Sequence, residues 1–336
     1  MAADAGAAPA RLPVFYSAAY VRAAHEFDTT RKAAWVADSL VERPICGVEL
    51  LEPRPLDEAE LAAAHDPAYV AAVRTGTPRS LAESNGLHWD AGLWEAVCAS
   101  NGGAVAAALA ALHSGGVAGS LSSGLHHAKR GRGDGFCTFN GLALAALAAL
   151  AASASRVLVL DLDAHCGGGA RELLGGDPRV RIVDLAVDPF DFYTPGRGDT
   201  LDLVGRAEAY LPTLSRRLRE LESEAFALVL YNAGMDPFER CEIGGLRGMT
   251  GGLLAERERT VFRWCRERRL PVAFVLAGGY TNHGFTKPEL VELHRYTLVA
   301  ADADEGQYDA SGQGTRSPPS PFGMERWPSG GHPTLL

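Results

Sequence analysis

Four short runs in this chain are apolar at nearly every position: Arg156–Leu162 (RVLVLDL), Val180–Leu185 (VRIVDL), Phe226–Asn232 (FALVLYN) and Val272–Leu276 (VAFVL). A strand with one wet face alternates apolar and polar residues, so runs apolar on both faces predict strands covered on both sides. Helical spacing fills the intervals, over 91–113, 140–152, 207–221, 253–268 and 288–301. Strand–helix alternation of this kind predicts an α/β domain with a mostly parallel sheet. The two ends read differently. Residues 1–12 are small and polar-poor, and 304–336 are rich in Gly, Pro and Ser, with Phe322 and Trp327 as the exceptions that could dock a tail. A single domain over 13–303 between two disordered tails is the expected organisation.

Composition narrows the function. The chain has 336 residues, 47% of them hydrophobic and 22% charged, and a net charge of -9. That balance is ordinary for a globular protein and argues against general nucleic-acid binding, which needs cations to neutralise phosphate. Met1–Pro13 has no long apolar stretch of the kind a secretory leader carries. The longest apolar run, Leu142–Ala152, is well short of the roughly 20 residues that cross a bilayer, so no membrane partner is expected. None of the six cysteines forms a CxxC pair, which predicts a reducing, cytoplasmic setting without a disulfide framework. The abundance of alanine suggests a GC-rich, bacterial genome.

In parallel sheets, ligands bind beyond the carboxyl ends of the strands, so the residues that end each run carry the chemistry. The first run ends in Asp161-Leu162-Asp163-Ala164-His165-Cys166-Gly167-Gly168-Gly169, the third in Ala233-Gly234-Met235-Asp236-Pro237, and the fourth in Ala277-Gly278-Gly279-Tyr280. Alternate residues of an extended chain face the same way, so Asp163 and His165 can share one metal, with Asp236 reaching in from the neighbouring strand end. Two carboxylates and one imidazole make a three-ligand site with an open position, the pattern of a catalytic zinc. The tandem His126-His127 offers a base for a water on that metal, and Tyr280, where Gly278 and Gly279 let the chain pass close by, offers a donor to a developing oxyanion.

These residues resemble the zinc-dependent histone deacetylase family of the arginase–deacetylase fold, which also includes acetylpolyamine amidohydrolases and acetoin-utilisation proteins. The resemblance runs over roughly 14–301. It rests on Gly124-Leu125-His126-His127, Gly135-Phe136-Cys137-Thr138-Phe139-Asn140, DxDxH from Asp161, Gly278-Gly279-Tyr280, and the segment His65-Asp66-Pro67-Ala68-Tyr69-Val70. It implies a single three-layer αβα domain and a zinc-dependent amidohydrolase that frees a primary amine from an acetyl or short acyl group. The amine could be acetyl-lysine, an acetylpolyamine or an acylated metabolite. The resemblance makes Asp163, His165 and Asp236 the zinc ligands. His127 becomes the general base and acid, His126 its electrostatic neighbour oriented by Asp161, and Tyr280 the carbonyl-polarising group. Gly135 would contact the substrate stem. Phe136 would form one wall of a tunnel, with Phe192 or Tyr193 opposite. A second, monovalent cation, normally potassium, would be held by Asp161, Asp163, His165, Asp184 and Leu185.

The sequence departs from that family in two places. Where relatives place an Asp or Asn to hydrogen-bond the second histidine of the tandem pair, this chain has Gly168, so His127 is expected to lack a partner. The segment from His25 to Arg31 replaces the more usual H-P-E-R-x-x-R at the pocket entrance. Two other readings remain: a catalytically weak binding protein that keeps the pocket, and a dimetal arginase-like ureohydrolase. The second would need a further carboxylate near Asp236. Oligomeric state is not legible.

Overall fold

The computed structural model describes residues 11–23, 28–196 and 198–303. The expectations for residues 1–10, for 25–27 of the entrance segment and for the 304–336 tail with Phe322 and Trp327 lie outside them. Eight strands form one sheet: β1 (Leu12–Phe15), β2 (Val48–Leu51), β3 (Val117–Ser120), β4 (Val157–Asp161), β5 (Val180–Ala186), β6 (Thr200–Leu203), β7 (Leu228–Ala233) and β8 (Val272–Leu276). The helices are α1 (Asp28–Glu42), α2 (Glu58–Leu61), α3 (Pro67–Thr75), α4 (Arg79–Ala82), α5 (Leu93–Ser114), α6 (Gly141–Ala151), α7 (Gly168–Leu174), α8 (Ala207–Glu220), α9 (Gly251–Glu267) and α10 (Lys287–Asp302). The strand order is β2-β1-β3-β8-β7-β4-β5-β6, and every ladder is parallel. Leu12, expected in the amino-terminal tail, is the buried first residue of β1.

The two-residue period of the central strands builds two cores. Leu158, Leu160, Val229, Tyr231, Val272, Phe274 and Leu276 face a core shared with α1, α8, α9 and α10. Val157, Val159, Leu228, Leu230, Ala273 and Val275 face the other, shared with α3, α5 and α6. Helices on both faces of one parallel sheet make the three-layer αβα sandwich. α5 has the length and hydropathy of a membrane span, yet 67% of its apolar window is buried in this second core.

Candidate active site

β3, β8, β7 and β4 stand side by side, and the loops that leave their carboxyl ends meet over the sheet edge. β4 ends at Asp161, so Asp163 and His165 follow at alternate positions, and Asp236 comes from the loop after β7. His165 Nδ1 lies 3.0 Å from Asp163 Oδ1 and 3.1 Å from Asp236 Oδ2. One donor atom from each of the three residues lies within 4.8 Å of the others, and all three are buried. Asp236 Oδ2 is buried and makes no hydrogen bond. Burial opposes charge on His165, but the two carboxylates outweigh it and push its pKa up to about 11. A cage that draws positive charge this strongly, with an oxygen left unbonded, fits a zinc ion bound by three protein ligands. The backbone completes the cage: the Gly278 amide donates to Asp163 Oδ2 at 2.8 Å. A Cβ at Gly278 would stand 2.0 Å from Asp236 Oδ2, so only glycine lets the chain pass.

The tandem histidines come from the loop after β3. His126 Nδ1 is 2.7 Å from Asp161 Oδ2, and its Nε2 is 3.0 Å from His127 Nε2. Burial works against a charge on His126, but Asp161, Asp163 and Asp184 prevail and raise its pKa to about 10. Burial and then the neighbouring His126 charge lower His127 to about 4. His126 is therefore the cation of the pair and His127 its neutral neighbour. Asn140 fixes their loop. Its side chain caps α6 by accepting from the Ala143 amide at 3.0 Å, and its Nδ2 donates to the carbonyls of His126 and Ala128 at 3.1 Å each. Asn232, at the end of β7, donates to Asp161 Oδ1 at 2.8 Å.

Two expectations need correction. His127 does have a carboxylate: its Nδ1 lies 3.0 Å from Asp191 Oδ2. Asp191 belongs to the loop after β5, the strand beside β4, which is why the motif around Gly168 gives no sign of it. The second correction concerns the wall. Phe192 is 62% exposed. Tyr193 turns inward, where burial and the charge of Asp184 push its phenol up. The aromatic ring beside the histidines is Phe190, edge-on to His127 with ring centroids 4.9 Å apart and 6.1 Å from His165.

A cavity collects Ser123, His126, His127, Gly135, Phe136, Cys137, Asp163, Gly278 and Tyr280. The Phe136 and Tyr280 rings lie 6.5 Å apart across it. Gly135, at φ +48°, sits where a Cβ would meet His127 Cδ2 at 2.5 Å and Phe190 Cε1 at 2.9 Å. Gly279 packs away from the cavity, with Leu290 Cδ1 at 2.6 Å from where its Cβ would be. Asp184 pairs with Asp161 in the β4–β5 register, and Leu185 follows it. Asp184 Oδ1 and Tyr193 Oη are buried without a hydrogen-bond partner. Burial, then the Asp161 charge, pushes the Asp184 carboxyl well above the usual range. Two unbonded oxygens beside paired carboxylates suit a cation there as well.

Residues 25–290 match the histone deacetylase domain. An uncharacterised protein of the cyanobacterium Picosynechococcus sp. is 35% identical over 243 residues, covering 70% of this chain and 80% of its own length. Histone deacetylase 2 of Arabidopsis thaliana is 36% identical over 169 residues, 48% of this chain and 43% of that protein. The chain thus spans under half of that relative. Among solved structures, an acetylpolyamine aminohydrolase from Burkholderia pseudomallei superposes with a TM-score of 0.70 at 22% identity, covering 87% of this chain and 99% of that one. The HD domain of HDA15 superposes with a TM-score of 0.74 at 18% identity, covering 88% and 92%. At these identities the two structures speak for the fold.

Proposed function

Because the chain belongs to the histone deacetylase domain family, we propose that it is a zinc-dependent amidohydrolase that removes an acetyl or similar short acyl group from a primary amine. The observation that carries this reading is the Asp163–His165–Asp236 cluster, whose Asp163 lines the same cavity as the tandem histidines and Tyr280. A zinc ion held by Asp163, His165 and Asp236 would supply a Lewis acid for the acyl carbonyl and for water. His127 takes a proton from the attacking water at Nε2 and hands it to the departing amine. His126, a cation anchored on Asp161, stabilises the negative charge that develops beside it. The Tyr280 phenol donates to the oxyanion. Phe136 and Phe190 admit a slender alkylamine stem past Gly135 and keep bulk water out. A monovalent cation such as potassium suits Asp184 together with Asp161, Asp163, His165 and Leu185, and the unbonded oxygens of Asp184 and Tyr193 support it.

The binding-protein reading rests on a His127 without a partner, and Asp191 supports the hydrolase instead. A dimetal ureohydrolase needs further bridging carboxylates, and among the described residues the metal-competent group is the one triad. The deciding experiment is a panel of acylated amines, from acetyl-lysine peptides to acetylated polyamines and small acylated metabolites, offered to the zinc-loaded protein. Turnover of at least one is expected. Binding without turnover across the panel would return the chain to the binding-protein reading.

A further inference from the structure

The segment from Asp188 to Tyr193 leaves β5 and delivers two adjacent residues to the site, Phe190 and Asp191. Asp191 Oδ2 accepts from His127 Nδ1 at 3.0 Å and from the Gly169 amide at 3.1 Å, and Oδ1 pairs with Lys129. The carboxylate is nearly enclosed, its side chain 11% exposed. The backbone is shaped to put it there. Asp191 has φ +59°, in the left-handed region that Asp and Asn tolerate better than other side chains. The loop after β4 makes room for it: a Cβ on Gly168 would come 2.4 Å from Asp191 Oδ1 and 2.5 Å from the Asp191 carbonyl oxygen. The bare glycine and the arriving carboxylate therefore occupy one volume between them.

We propose that Asp191 is the positioning residue for His127, holding its Nδ1 protonated so that Nε2 is the unprotonated nitrogen left to act as the base, with Lys129 as the counter-ion of the carboxylate. The proposal rests on the hydrolase reading and adds to it a residue that never touches substrate and acts through the imidazole. Tautomer control of this kind needs an acceptor at Nδ1 with a fixed orientation. Asp191 has both, since Gly169 and Lys129 hold the same carboxylate from two further sides. Lys129 stands two residues beyond His127, so the ion pair also ties the β5 loop to the histidine loop.

Two variants separate position from structure. Asp191→Gly removes the carboxylate and is at ease at positive φ, whereas Asp191→Asn keeps the shape and an acceptor oxygen without the charge. In zinc-loaded Asp191→Gly, kcat should fall on the order of 10- to 100-fold, the range for losing such a partner. KM, zinc content and circular dichroism should be unchanged. Formate should restore part of that loss in Asp191→Gly, where it can fill the space left behind, and not in Asp191→Asn. A readout independent of activity is the imidazole spectrum of ¹⁵N-labelled protein. The parent should show a protected His127 Nδ1–H, assigned by its disappearance in His127→Gln, and Asp191→Gly should lose it. If no acylated amine is turned over, the hydrolase reading fails, and the spectrum still decides the role of Asp191. A protected Nδ1–H that survives in Asp191→Gly, or an active Asp191→Gly enzyme with parental kcat, overturns the proposal.

Discussion

Tyr280 contributes a single proton to the proposed chemistry, and its surroundings keep that proton in place. Burial, then the charges of Asp236 and Asp163, push the phenol well above its usual range, so it remains a donor at any working pH. Tyr280→Phe should keep the fold and the zinc and lose on the order of 10²–10³ in kcat, the range for one oxyanion donor. Steady-state kinetics with zinc quantified in the same preparation checks it, and an unchanged rate would mean that the phenol does not face the carbonyl. Asp163→Ala, His165→Ala and Asp236→Ala should each lose zinc and activity together, because two ligands hold an open site poorly. Full zinc retained by any one of them would remove that residue from the ligand set. These residues were legible because each closes an apolar run in its own segment. Asp191 and Phe190 were not, because they serve His127 from a different strand, and only the parallel neighbours β4 and β5 bring them together.

At the scale of the element, legibility followed hydrophobic content. The five helices expected from spacing all form within two residues of their ends, whereas β3 (VAGS) gave no signal. Its neighbour explains why: a Cβ on Gly119 would stand 2.1 Å from the Phe274 ring, so Phe274 supplies the bulk that β3 lacks. A similar close approach governs α5. Gly102 lies in the middle of that helix, and a Cβ there would meet the Arg54 carbonyl oxygen at 2.1 Å. Helix propensity alone would make Gly102→Ala stabilising by about 1 kcal/mol. Contact with a backbone atom that cannot swing aside should cost about 1–3 kcal/mol and win. Urea unfolding should show a net loss, and a more stable Gly102→Ala would mean that the segment at Arg54 gives way freely.

For the molecule as a whole, part of the loss of stability in acid should come from a buried imidazole outside the metal cluster, His65. His65 Nδ1 donates to the Lys129 carbonyl at 2.8 Å, and Nε2 accepts from the Asn140 amide at 2.9 Å, so it joins the start of α3 to the histidine loop and to α6. Burial lowers its pKa from 6.5 to about 4. Above pH 6.5 the ring is neutral in both folded and unfolded chains, and its contribution is complete. As pH falls from 6.5 toward 4, the unfolded chain takes up a proton that the fold refuses, and stability drops by up to about 3 kcal/mol, with no further loss below that window. His65→Gln keeps a donor and an acceptor without titrating. Between pH 7 and pH 5 the parent should lose about 2 kcal/mol more than His65→Gln in urea unfolding. Equal losses would mean that His65 does not govern the acid limb.

The volume shared by Gly168 and the Asp191 side chain also constrains how this site can change by descent or by design. A carboxylate added at 168 while Asp191 stays in place would collide with it, and also with its backbone oxygen, 2.5 Å from where the new Cβ would lie. Removing Asp191 first leaves His127 without an anion, so each single step passes through an impaired intermediate. The two positions constrain each other, and the segment 188–193 must be transplanted together with residue 168 if the partner of this histidine is to be moved from one strand to the next.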